Sequence, residues 1–139
     1  MKGNDLTHTI SEDMTVFPGS ETQKLTTKST YEKDGFKETL LQMYSHVGTH
    51  MDPPAHIFTN QKTLDQFSPE QFIDKALVVD CRDLKEGQAI TIDKIDIDKA
   101  KLADFLLFNL GWDKRWNLDT YFNDYPCIDN TVLEFILNS

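Results

Sequence analysis

Residues 46–56 read HVGTHMDPPAH, and this stretch limits its own backbone severely. Gly48 disfavours a helix, and Pro53-Pro54 removes two backbone donors and ends one. Proline also drives the residue before it towards extended geometry. The stretch is therefore expected at the end of a strand that runs into a rigid loop. On an extended backbone, residues two apart share a face, so His46, Gly48, His50 and Asp52 should point the same way.

Three of the chain's four histidines lie in these eleven residues. Two neutral imidazoles and a carboxylate suit Zn2+ or Mn2+. Three protein ligands leave a position open for water, which a metal activates near neutral pH. A carboxylate can also bridge two metals. Gly48 lets a substrate or another backbone come close. His56 lies off the ligand run and is placed to act as general acid or base. An isolated histidine is usually a surface or core residue, but three with an aspartate between Gly and Pro point to a metal site. His8 has the plain reading: it packs or hydrogen-bonds near a strand end.

The 139 residues fit one domain, 1–139. A net charge of −9 speaks against nucleic acid or an anionic membrane as partner. Cys81 and Cys127 show no CxxC spacing and are read as reduced, buried thiols of a cytoplasmic protein. The start, MKGNDLTHTISEDM, has no apolar leader region, and no apolar run approaches a membrane span.

The coarse pattern is mixed α/β. DLTHTI (5–10) is expected as a first strand, FPGSE (17–21) as a turn, and QKLTTKSTY (23–31) as a strand. KDGF (33–36) carries a hairpin turn signal, and ETLLQMYSHVGTH (38–50) should be extended. Ser68, Pro69 and Gln71 form a capping-box start for a short helix or turn. KALVVDC (75–81) and DFLLFNLGW (104–112) are expected as buried strands, covered on both faces. A turn, a short strand and a link occupy 85–103, and DKRWNLDTYFNDY (113–125) is a loop or irregular helix. Asp129 should cap a final helix with apolar positions at Val132, Leu133, Phe135, Ile136 and Leu137. Trp112, Trp116, Tyr121 and Phe122 are read as core or interface rather than a substrate box.

HVGTHMDPPAH resembles the H-x-G-T-H-x-D-x-P-x-H signature of the cyclase-like metal-dependent hydrolases, which include bacterial kynurenine formamidases and isatin hydrolases. DLTHTISEDMTVFPG (5–19), LGWDKRW (110–116) and YFNDYPCIDNTVLEFI (121–136) resemble the family's flanking segments, in the right order. The resemblance implies a swivelling β/β/α domain and a homo-oligomer. It implies metal ligands at His46, His50 and Asp52, with Asp52 as candidate bridge, an acid/base at His56, and Phe17 near the substrate. The implied reaction is hydrolysis of a small-molecule amide or lactam, as in conversion of N-formylkynurenine to kynurenine in tryptophan catabolism.

The resemblance also implies a further strand, histidine and glutamate beyond residue 139. No histidine follows His56, and Glu134 does not match the ligand position. The sequence is thus expected to hold the fold without its C-terminal portion, and Leu110-Gly111-Trp112 stands where the family has T-G-W. The other expectation is an inactive family member that binds metal or a partner.

Overall fold

The computed structural model describes residues 3–138. The backbone packs as two compact units, one running to Leu64 and one starting at Asp65. Among the described residues, no helix is long and apolar enough to cross a membrane.

The first unit is built on an antiparallel pair, β1 (Lys24–Ser29) and β2 (Glu38–Gln42), with Leu25 opposite Leu41 and Thr27 opposite Thr39. The register shifts between Thr27 and Ser29. The D-G signal does not make a tight hairpin turn. It closes a four-residue helix, α1 (Tyr31–Asp34), because Gly35 takes the left-handed conformation at φ 76°. The turn at 17–21 forms as expected, with Ser20 N–H donating to the Phe17 carbonyl at 3.0 Å.

Two expectations fail in this unit. No strand forms over 5–10, because its polar groups are spent elsewhere. Asp5 accepts from the amide and hydroxyl of Thr7, and His8 N–H donates to Thr49 Oγ1 at 2.9 Å. The segment 38–50 is not extended throughout either: β2 stops at Gln42 and bends follow. Gly48, at φ 64°, breaks the alternation.

The second unit holds a parallel pair, β3 (Ala76–Asp80) and β5 (Phe105–Asn109), in register from Ala76 opposite Phe105 to Asp80 opposite Asn109. Between them run β4 (Ala89–Ile90) and α2 (Ile97–Ala100), the latter capped by the Asp96 carboxylate accepting from Lys99 N–H. A second parallel pair joins β4 to β6 (Cys127–Ile128). The helix α3 (Asn130–Leu137) then begins on Asp129, whose carboxylate accepts from Thr131 and Val132 N–H. The capping box expected at Ser68 forms, opening a single 3-10 turn over Pro69–Phe72. Another such turn, Trp112–Arg115, starts the irregular segment foreseen at 113–125.

The core of this unit gathers Val79, Cys81, Ile90, Ile95, Ala100 and Val132. Strands β3 and β5 are covered on one face rather than two, since Val79 is buried while Val78 is 60% exposed. Val132 and Phe135 face the core, but Leu133, Ile136 and Leu137 are exposed. Both cysteines are free thiols. Cys81 is buried as expected. Cys127 is exposed, contrary to the reading as core, because its strand is only two residues long and lies at the unit's surface.

Candidate metal centre

The ligand residues come together, by a route other than strand alternation. After β2 the chain bends, turns left-handed at Gly48, and is then stiffened by Pro53 and Pro54. A 3-10 turn over Pro54–His56 follows, closed by His56 N–H donating to the Pro53 carbonyl at 2.9 Å. Ala55 N–H reaches the Lys62 carbonyl at 3.1 Å and anchors the far end.

Three donor atoms converge. His46 Nδ1 lies 2.9 Å from Asp52 Oδ1 and 2.9 Å from His50 Nε2, and His50 Nε2 lies 3.5 Å from Asp52 Oδ1. A triangle with those sides leaves a point about 2.1 Å from every corner, the distance Zn2+ keeps to nitrogen and oxygen. The donor set therefore fits a divalent ion, as a group of potential metal ligands. Protonation fits as well. His50 Nδ1 lies 2.8 Å from the Gly48 carbonyl, which can only accept, so Nδ1 carries the proton and Nε2 presents its lone pair. The hydrogen bond from the His46 ring holds the Asp52 carboxyl below the usual carboxylate range. An ion at the triangle would displace that shared proton.

His56 stands beside the triangle. Its ring stacks on His46 with centroids 4.4 Å apart, and its Nδ1 lies 4.0 Å from Asp52 Oδ1. The cluster faces solvent: the His46 side chain is 53% exposed and Asp52 41%. Phe17 is in the same unit, 62% exposed at the head of its turn. His8 is tied to the ligand loop through its backbone and Thr49.

Sequence reasoning missed what lies under the loop. Met14 and Gln23, each 3% exposed, are the buried described residues of this unit. A lone apolar residue in SEDM and a glutamine at the head of a strand carry no signal of that role. In the second unit, the aromatics read as core or interface are half-buried. Trp112, Tyr121 and Phe122 line a 270 Å³ cavity with Leu110 and Tyr125. Trp112 Nε1–H donates to the Tyr121 carbonyl at 2.8 Å, and the Arg115 guanidinium lies 4.0 Å above the Trp112 ring.

Residues 4–139 match the Cyclase family, described as "Putative cyclase". An uncharacterised protein of Methanocaldococcus jannaschii is 28% identical over 122 residues, which are 88% of this chain and 56% of that protein. Among solved structures, an isatin hydrolase bound to the product analogue thioisatinate superposes with a TM-score of 0.79 at 21% identity, covering 97% of this chain and 62% of that one. Isatin hydrolase A from Ralstonia solanacearum gives a TM-score of 0.75 at 21% identity, over 96% of this chain and 61% of that one. Isatin hydrolase A from Labrenzia aggregata bound to benzyl benzoate gives 0.75 at 22%, over 96% and 62%. These likenesses show the fold, the α/β fold expected from the signature. The chain spans about three fifths of the length of the structures it matches.

Proposed function

The chain belongs to the Cyclase family, and from that premise we propose that it hydrolyses a small-molecule amide or lactam at a divalent metal held by His46, His50 and Asp52. The observation that carries this reading is the donor triangle, with sides of 2.9, 2.9 and 3.5 Å. Zn2+ suits the set best and Mn2+ is the alternative. When bound there, such an ion acidifies water and polarises a carbonyl oxygen.

The chain's own residues do the rest. His50 is oriented by the Gly48 carbonyl, and Asp52 supplies the negative charge that favours a cation. Hydrolysis adds oxygen to the carbonyl carbon, breaks the C–N bond and delivers a proton to nitrogen. His56, held by its stacking on His46, takes the proton from the attacking water and returns it to the leaving nitrogen. Phe17 offers an exposed apolar face against which a planar substrate can lie. The hydrolase names of the matched structures support an amide or lactam, with an aryl formamide such as N-formylkynurenine as the finer choice. Exposed Leu41, Ile57 and Phe58 support assembly with further copies, and free thiols at Cys81 and Cys127 support a cytoplasmic setting.

The test is turnover of isatin, N-formylkynurenine and simple aryl formamides by purified chain loaded with Zn2+ or Mn2+, beside native mass spectrometry. Metal uptake with hydrolysis supports the reading. Metal uptake without turnover supports the second reading, a non-catalytic metal-binding or interaction protein. That alternative draws on the exposure of the triangle. A chain that takes up no metal refutes both metal roles.

A further inference from the structure

The ligand loop rests on a small polar node outside the signature. The Met14 thioether covers the open side of Gly48: its Cε lies 3.4 Å, and its Sδ 3.7 Å, from where a β-carbon on that glycine would stand. Met14 is itself held from behind. Gln23 Nε2 donates to the Met14 carbonyl at 3.1 Å and to the Ser11 carbonyl at 2.5 Å. Met14 N–H also donates to the Ser11 carbonyl, closing the turn. Two carbonyl partners require a donor, which fixes the orientation of the amide. Its Oε1 has no hydrogen-bond partner among the described residues, so this buried glutamine sits there for its two donors.

Beyond Gly48 the contacts continue to the ligands. The Gly48 carbonyl accepts from His50 Nδ1, and Thr49 Oγ1 accepts from His8 N–H. We infer that Gln23 and Met14 are positioning residues for the metal loop. Gln23 locks the Ser11–Met14 turn, Met14 fills the space over the left-handed Gly48, and Gly48 turns its carbonyl to His50 so that Nε2 faces His46 and Asp52. An unbranched thioether fills an irregular gap over a glycine without needing a polar partner. This rests on reading the triangle as a metal site, but its first test needs no metal.

In the full chain at pH 8, nitrogen NMR of the metal-free protein reads the tautomer of each histidine ring. Wild type should show His50 protonated at Nδ1. Met14→Ala and Gln23→Leu should let it relax towards the ordinary Nε2-protonated form, whereas Met14→Leu, which refills the gap, should keep it. Co2+ titration should show affinity falling roughly 10-fold in the first two variants, as for lost partners behind metal ligands. Tryptophan fluorescence reports only the second unit, which holds Trp112 and Trp116, and its melting should not move. If Met14→Ala fails to fold, Met14→Val carries the decision. An unchanged His50 tautomer in the folded variants overturns the inference, whatever the metal result. A wild-type chain that takes up no Co2+ refutes the metal reading, while the tautomer still decides the positioning.

Discussion

The two units are ordered by different means. The second buries a continuous apolar cluster from Val79 to Val132. In the first, the buried described residues are Met14 and Gln23, one of them polar, while Leu40, Leu41, Tyr44, Ile57 and Phe58 face outward. Yet the first unit carries the group of possible metal ligands. Its ligand loop is tied by hydrogen bonds, His8 to Thr49 across 41 residues and Ala55 to Lys62, with Met14 the buried apolar side chain over Gly48. A loop fixed this way stays open to solvent, with the His46 side chain 53% exposed.

The sharpest test of this contrast is a cavity in the core. Ile90 is 2% exposed, so Ile90→Ala should cost the second unit about 2–5 kcal/mol, through lost transfer energy and an unfilled space. The urea midpoint of tryptophan fluorescence reads that loss. Metal affinity of the still-native variant should stay put. A matching fall in metal affinity would break the comparison, because it would make the ligand loop depend on the core.

The converse change is His50→Ala. It removes a corner of the donor triangle and the proton donor to the Gly48 carbonyl. Metal affinity should fall by about 100-fold or more, since lost partners behind a ligand already cost 10- to 100-fold. Isothermal titration with Zn2+ measures it. The fluorescence melt should remain that of wild type, and a shift there would show that the two units are not independently ordered.

This contrast also explains what was legible in the sequence. The signature residues were readable because metal chemistry restricts side-chain types, and His46, His50 and Asp52 do converge. The backbone that gathers them was misread. Alternation along a strand was expected, but Gly48 turns left-handed and β2 ends at Gln42. Strand propensity over 5–10 lost to Asp5–Thr7 and His8–Thr49 hydrogen bonds, the second between residues 41 apart. No local pattern encodes a partner that distant. In the second unit, β3, β5 and the cap at Asp129 follow from apolar runs and capping chemistry, which are local signals. The open face of β3, with Val78 exposed, was not readable, since an apolar run does not say how many faces a neighbour covers.

A smaller effect is expected from that cap. Asp129 accepts from Thr131 N–H at 2.9 Å and from Val132 N–H at 3.2 Å, and Val132 is fully buried. Asp129→Ala should therefore lower stability by about 1 kcal/mol. Asp129→Asn, which keeps the acceptor, should recover most of it in the same urea titration. Failure of Asn to recover would assign the effect to charge at the helix start rather than to the hydrogen bonds.

The smallest effect separates two carboxylates that are both pulled down, one in each unit. Asp52 is lowered first by the His46 ring, in a place where an ion can replace the shared proton. Asp80, at the end of β3, is lowered to about 2 by a permanent partner: Arg82 donates Nε at 2.7 Å and Nη2 at 2.6 Å. A carboxyl depressed in the folded state stabilises above its unfolded value, and that stabilisation is lost as pH falls through the folded one. For Asp80 the window runs from about pH 4 down to about 2. The pair is more than half exposed, so salt screens it and its share is small. The difference between wild type and Asp80→Asn, read as fluorescence melting temperature, should therefore shrink as pH falls through that window, and shrink at every pH in high salt. A difference constant from pH 5 to 2 would mean that Arg82 holds Asp80 in shape only, leaving Asp52 as the carboxylate whose lowered pKa has a consequence.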